Sequence, residues 1–273
     1  MTTLPDPAAV IRIIREVAAA EILPRFRNLA DGDVGFKGGP HDLVTVADIE
    51  AEKSLSGRLQ ALAPGSLVVG EEGAEADGGL LAALAGTAPV WVLDPLDGTV
   101  NFAHGRPCFA MIVAWCLGGT AAAGWIYDPV ADAVLWSAAG EGAWWEDGAG
   151  VRPVRASRAG DVAAMIGSLT PRAAARLHRA QGLRNRPSPA VVRYGCAGRE
   201  YMDLGTGALD FAQYTRLKPW DHAAGVLIHR QAGGFSALRG RGSPYRVEPR
   251  ILEETLLLAP DEESWQTLDG LLR

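Results

Sequence analysis

Cysteine is scarce in this chain of 273 residues: Cys108, Cys116 and Cys196 stand apart, with no CxxC and no paired spacing. That excludes a disulfide framework and suits buried thiols in a reducing compartment. The five histidines, His41, His104, His178, His222 and His229, never form HExxH, and no His/Cys cluster offers a zinc site. There is no GxSxG and no glycine loop ending in GK[ST], so nucleophile-elbow and P-loop chemistry are both set aside. Long apolar runs are missing as well; none reaches the uncharged length that a bilayer span needs. Asp6, Arg12, Arg15 and Glu16 interrupt the N-terminal stretch where a signal peptide would carry its apolar core. Nor is positive charge in excess: the formal net charge is −6, so no global basic field recruits nucleic acid or an anionic membrane. The expectation is a soluble, cytoplasmic protein with no membrane or DNA partner.

What is present is ordinary globular material, 48% hydrophobic and 21% charged, enough for one large domain or two closely packed subdomains. Asp6–Pro7 opens an amphipathic helix in which Val10, Ile13, Ile14, Val17 and Ala18 recur at helical spacing. The glycine-bearing stretch 31–43 holds Lys37, and a second helix is predicted over 45–62 with Asp48 near its start. SLVVG (66–70) reads as a short strand, GLLAALAG (79–86) as a short helix, and APVWVL (88–93) as a buried strand. From Cys108 to about Trp145, apolar runs alternate with Gly and Asp turn signals, the pattern of an antiparallel meander. Beyond 150 the pattern becomes strand–helix alternation, closed by a helix capped by Asp261. This predicts helix and sheet in layers. The expected division is an N-terminal α+β subdomain, 1–152, with the helix pair and the meander, and a C-terminal α/β subdomain, 153–273, forming one catalytic unit.

The chemistry sits in four acidic groups. WVLDPLDGTVNF (91–102) drives an apolar strand into Asp94 and Asp97, followed by Gly98 and Thr99. Burying two acids is costly unless something positive compensates them. A helix cap, with Asp94 before Pro95, is one reading; a salt bridge and a metal ion are the others. Gly98 and the β-branched Thr99–Val100 continue a helix poorly, which counts against the cap. GEEG (70–73) is a solvated turn or a site, and Asp221 in WDHAAG is an N-cap or a ligand. Asp42 and Asp48 in HDLVTVAD form the fourth group.

GEEG, DPLDGTVNF and WDHAAGVLIHRQAGG occur in this order and with this spacing in the inositol monophosphatase family, which the chain resembles from Lys37 to Gly234. The resemblance implies alternating helix and sheet layers, an α-β-α-β-α sandwich of the inositol monophosphatase and fructose-1,6-bisphosphatase type. It further implies a magnesium-dependent phosphatase, sensitive to lithium and usually homodimeric. The metal ligands it implies are Glu71, Asp94, the Leu96 carbonyl, Asp97 and Asp221, holding two or three Mg2+ ions, with Mn2+ as a substitute. Such oxygen donors suit a hard cation, and paired ions clamp the oxygens of an in-line displacement. Glu71, Asp48 and Thr99 are the implied catalytic set, with Asp48 and Thr99 hydrogen-bonded to each other and orienting the attacking water, and Glu72 in support. A metal-activated water then hydrolyses the monoester without a phosphoenzyme, while Gly98 and Thr99 meet the phosphate through backbone amides. Haloacid-type phosphatases differ, having DxD in place of Asp-Pro-Leu-Asp.

The substrate side departs from the pattern. Tyr214 stands seven residues before Asp221, where inositol phosphatases usually carry a glutamate that binds sugar hydroxyls; it can stack or donate one hydrogen bond. Arg216 and Lys218 add cations nearby. Cys196 and Ala197 align with the family's substrate-facing turn, equally a packed strand-to-helix turn. Lys37 either closes the site or is a solvated lysine. The expected partner is a small sugar, polyol or related phosphate. Histidinol phosphate, fructose 1,6-bisphosphate and a 3′-phosphoadenosine nucleotide are rival substrates. A regulatory RNA or transcription-machinery binding role is the alternative from outside enzymology.

Overall fold

The computed structural model describes residues 4–37, 43–158, 160–183 and 188–273. Helix α1 (Pro7–Val17) starts where Asp6 accepts a hydrogen bond from the Ala8 amide and Pro7 takes the first turn. It runs into a wider helical turn, Ala18–Ile22. Two short strands, β1 (Val34–Phe36) and β2 (Leu43–Thr45), pair antiparallel across the glycine-bearing stretch that gave no strand signal. Asp42 and His41 lie outside the described residues. Helix α2 (Val46–Leu62) follows, capped by Thr45.

A seven-stranded sheet is next: β3 (Leu67–Gly70), β4 (Val90–Asp97), β5 (Ala110–Leu117), β6 (Thr120–Asp128), β7 (Ala133–Ala138), β8 (Ala143–Asp147) and β9 (Gly150–Val154), in that spatial order. Only β3 and β4 run parallel; the rest is the expected meander, extended by one strand to Val154. Between β3 and β4 lie α3 (Glu71–Ala76) and a tighter 3₁₀ stretch, Gly78–Ala85, where the apolar run predicted a helix. A five-residue helix, α4 (Thr99–Ala103), follows β4.

The second sheet orders its strands β11 (Ala190–Val192), β10 (Ile166–Ser168), β12 (Phe211–Leu217), β14 (Leu252–Ala259) and β13 (Phe235–Leu238). Helices α5 (Pro171–Leu183), α6 (Ala197–Thr206), α7 (Pro219–Gln231) and α8 (Glu262–Leu272) complete the chain.

Strand alternation sorts the side chains into layers. Trp91 and Leu93 of β4 point to α1 and α2, and pack with Ile14, Leu55, Trp115 and Trp125. Val90 and Val92 point the other way, onto Tyr201, Leu204, Ala224 and Ile228 of α6 and α7. The second sheet closes over those helices with Ala212, Leu256 and Leu258, and its far face (Phe211, Leu257, Ala259) meets Leu177 of α5 and Leu268 of α8. The layers therefore run helix, sheet, helix, sheet, helix. Helix α7, pressed between two sheets, buries residues all around its axis, from Trp220 to His229. None of the described helices is long and apolar enough to cross a membrane.

Candidate active site

Parallel pairing of β3 and β4 sets Gly70 beside Leu93. The residues that follow, Glu71 and Asp94, therefore leave adjacent strands at the same level. Between Asp94 and Asp97 the pairing of β4 with β5 shifts register, and that irregularity breaks the alternation that would send one acid to each face. Asp221 arrives from the first turn of α7. One carboxylate oxygen each from Glu71, Asp94 and Asp221 lies within 4.8 Å of the other two.

No helix begins at Pro95, so the cap reading of Asp94 is removed; Asp94, Pro95 and Asp97 all belong to β4, and α4 begins behind Gly98. The Asp94 Oδ1 accepts the Leu96 amide at 3.0 Å. Gly98 has φ +91°, and a Cβ there would stand 2.9 Å from the Cys108 carbonyl, so only glycine suits the turn. Asp97 stands beside the trio and aims its Oδ2 at the Gly198 amide (2.5 Å) and the Cys196 Sγ (3.1 Å).

Asp48 plays two parts. Its Oδ2 accepts the Thr45 amide (2.8 Å) and hydroxyl (2.6 Å), completing the capping box of α2. Its Oδ1 accepts the Thr99 hydroxyl at 3.0 Å, and the Leu96 carbonyl lies 3.0 Å from the same hydroxyl. The Asp48–Thr99 contact is thus in place, and the Leu96 carbonyl faces Thr99.

Electrostatically this is a pocket of acids held short of easy ionisation. Burial, then Glu71, Asp97 and Asp221, push Asp94 well above the usual carboxylate range; burial and neighbouring acids do the same to Asp221. Burial lifts Asp97 to about 6, and Asp48 to about 6 against the hydrogen bonds from Thr45 and Thr99. Glu72 rises to about 7 by burial despite Lys37.

Two lysines offset part of that charge. The Lys37 Nζ lies 2.6 Å from Glu72, 2.9 Å from Glu75 and 3.6 Å from Glu71; the Lys218 Nζ lies 2.9 Å from Glu71 and 2.8 Å from Glu75. Desolvation lowers both ammonium pKa values, but Glu71 and its neighbours outweigh it and both end up raised. Glu71 and Glu72 are only 15% and 16% exposed, so GEEG is no solvated turn.

All these donors are oxygens. Of the three converging carboxylates, Asp94 and Asp221 have raised pKa values, and an all-oxygen donor set of this kind fits a hard divalent cation and disfavours a soft one.

Asp97 and Asp221 open onto a cavity of about 260 Å³ whose lining includes Cys196, Ala197 and Tyr214. Arg216 does not line it: it stands exposed at φ +60°, on the register shift between Thr215 and Leu217. That bulge brings Lys218 to the acids instead. Tyr214 stacks on Tyr201 with ring centroids 5.3 Å apart, and its hydroxyl is buried without a hydrogen-bond partner among the described residues.

Sequence reasoning missed Glu200, a buried carboxylate on the same cavity, held by the Ser168 hydroxyl at 2.6 Å. It also missed Glu52 of α2, which accepts the Glu72 and Gly73 amides at 2.8 Å each, and Glu75 one turn beyond Glu71. Helical spacing to Glu71 was the only available signal for Glu75; Glu52 and Glu200 carried none.

Fold and site together define a phosphoric monoester hydrolase. The chain belongs to the inositol monophosphatase family, whose sequence model matches residues 7–272. It is 37% identical over 245 residues to an inositol-1-monophosphatase of Mycobacterium leprae, covering 83% of this chain and 81% of that one. A fructose-1,6-bisphosphatase/inositol-1-monophosphatase of Thermotoga maritima is 29% identical over 203 residues, covering 74% of each. Among solved structures, the extragenic suppressor protein suhB from Bartonella henselae superposes with a TM-score of 0.74 at 26% identity, covering 97% of this chain and 96% of that one.

Proposed function

We propose that this protein hydrolyses a small sugar or polyol phosphate with Mg2+ as its working ion and Mn2+ as a substitute. In this reading Glu71, Asp94, Asp97, Asp221 and the Leu96 carbonyl hold the cations, and the parts 1–152 and 153–273 act as one catalytic unit, homodimeric and cytoplasmic. The observation that carries it is the convergence of Glu71, Asp94 and Asp221 within 4.8 Å, with Asp221 also lining the cavity. The inositol-1-monophosphatase relatives support the substrate class, and the doubly named Thermotoga maritima relative keeps sugar bisphosphates within it.

The bound cation supplies Lewis acidity: it makes water more acidic and offsets negative charge on phosphate oxygens. The chain does the rest. Asp48, fixed by Thr45 through one oxygen, takes the Thr99 hydrogen with the other. The Thr99 oxygen, its hydrogen so committed, turns its lone pairs outward and accepts a proton from the attacking water. Asp48, with its pKa near 6, is mostly ionised at neutral pH and can receive that proton through Thr99. The Gly98 and Thr99 amides meet the phosphate oxygens at the start of α4. Cys196, Ala197 and Tyr214 bound the space for the alcohol half, with Glu200 accepting a substrate hydroxyl in place of the glutamate absent at position 214.

The test is phosphate release from inositol 1-phosphate with and without Mg2+, for the wild type and Asp94→Asn. The variant should keep its circular dichroism and lose more than the roughly 10–100-fold typical of an outer ligand-orienting partner. Wild-type turnover by Asp94→Asn at saturating Mg2+, or no release by the wild type from any phosphate ester, overturns the reading.

A further inference from the structure

Helix α7 also serves a second cavity, away from the acids. Ala223, Val226, Leu227, Arg230 and Gln231 recur at helical spacing, and the face they form lines a space of about 300 Å³. The rest of the wall comes from the start of β6, from Ala139 behind β7, and from the strap 245–247 between β13 and β14. The strap is pinned to the turn joining β5 and β6. There the Val247 amide donates to the Gly119 carbonyl at 3.0 Å, and the Arg246 guanidinium to the Gly118 carbonyl at 3.2 Å. No residue lines both this cavity and the catalytic one.

Its floor is apolar and its rim is cationic. Ala223, Val226 and Val247 are buried, while Arg230 and Arg246 are exposed. No carboxylate lines the cavity, and among the described residues neither arginine has one within 4.0 Å. Water satisfies an exposed guanidinium, so exposure alone says little. The informative part is that a chain with 32 acidic residues and a net charge of −6 sets none of them here. The Gln231 Oε1 is taken by the Gly140 and Gly142 amides at 3.2 and 3.3 Å, so its NH2 group is what remains to donate. Apolar walls with a few placed polar groups are the usual make-up of a small-molecule pocket, and this volume lies at the compact end of their range. Guanidinium donors select an anion, and the apolar floor selects its body. A sugar or polyol phosphate has no apolar part to lay on Val226 and Leu227.

We infer that this cavity binds a small carboxylic acid with an aliphatic or aromatic body, its carboxylate at the Arg230–Arg246 rim and its body on Ala223, Val226 and Leu227. The site is separate from the catalytic cavity and does not rest on the phosphatase reading.

The experiment titrates the full chain, without divalent cation, with phenylacetate, hexanoate and the neutral phenylacetamide, followed by ligand-observed NMR and by Tm. The wild type should bind at least one of the acids about tenfold or more tighter than the amide, through charge-assisted hydrogen bonds that the amide lacks. Saturation with that acid should raise Tm. Arg230→Gln/Arg246→Gln should bring the acid down to the affinity of the amide, whereas Arg172→Gln/Arg176→Gln, on α5, should leave it unchanged. Ala139→Trp fills the cavity from an exposed position and should abolish binding of acid and amide alike. All three variants change exposed residues and should keep the unliganded Tm. No binding of either acid, equal affinity for acid and amide, or unchanged affinity in the Arg230/Arg246 or the Ala139 variant overturns the site. Loss of acid binding in the α5 variant instead does so as well, by placing the carboxylate elsewhere. None of these outcomes touches phosphate release, on which the phosphatase reading stands.

Discussion

Thr99 has one hydroxyl hydrogen and two acceptors at 3.0 Å, Asp48 and the Leu96 carbonyl. Asp48 is the acceptor with negative charge, so it is the stronger of the two. On the proposed mechanism, replacing Thr99 with Val removes the relay and keeps the shape: kcat should fall roughly 100-fold or more with KM little changed, while Thr99→Ser retains most of the activity. Steady-state phosphate release distinguishes them, and a Val variant with wild-type kcat removes Thr99 from proton transfer. Asp48 and Thr99 lie 51 positions apart, and composition or periodicity could not join them; the motif resemblance did. The substrate side was harder to read. Arg216 and Lys218 are equivalent cations in the sequence, yet a single bulge at Thr215–Leu217 sends one to solvent and the other onto Glu71. Glu200 gave no signal at all, because a carboxylate in the middle of AGREYMDL looks like an exposed helical residue until the second sheet covers it.

Helix α3 is six residues long, too short to persist on its own, and its N-cap, Gly70, has no side chain to satisfy the first amides. Glu52 reaches across from α2 and does so, accepting Glu72 and Gly73. Gly70 is glycine for the same reason: a Cβ there would collide with the Glu52 carboxylate. The position of Glu71 at the proposed cation site therefore depends on a residue 19 positions earlier in the chain. Glu52→Ala should lower stability by about 1–3 kcal/mol, from amides left without a partner. It should also weaken Mn2+ binding roughly 10–100-fold. Urea unfolding and a calorimetric Mn2+ titration check the two effects; unchanged affinity alongside lost stability confines Glu52 to folding. Among the long elements, α1 was legible from its apolar periodicity, and β4 to β6 and α7 from apolar stretches set off by turn or capping signals. The short ones followed local packing: the apolar run at 78–85 tightened to a 3₁₀ stretch, and β1 pairs with β2 where glycine and polar residues gave no pattern. Asp94–Pro95 imitated a helix cap, and sheet pairing overrode it.

Five layers bring strand ends and the start of α7 to one place, and on the proposed reading cation binding by the acids gathered there is linked to folding. Asp48 and Asp97, both pushed up to about 6 mainly by burial, keep protons in the folded chain at pH values where unfolded aspartates, with pKa 3.8, have lost them. Between about pH 4 and 6 the folded state binds more protons than the unfolded one, so cation-free stability falls as pH rises through that window. Below it both states are protonated and the penalty vanishes; above it the penalty is complete. A divalent cation binds the ionised carboxylates and competes with their protons, so its stabilisation grows as those protons leave. Thermal unfolding with and without 10 mM Mg2+ should therefore show a small increment at about pH 5 and one larger by several degrees at about pH 7.5. Asp94→Asn should shrink the increment at the higher pH and raise the cation-free Tm there, because one of the repelling acids is gone. The same increment at both pH values would separate the carboxylate cluster from the stabilising ion; a cation-free Tm that rises from pH 4 to 6 would mean that other groups dominate the proton balance of the fold.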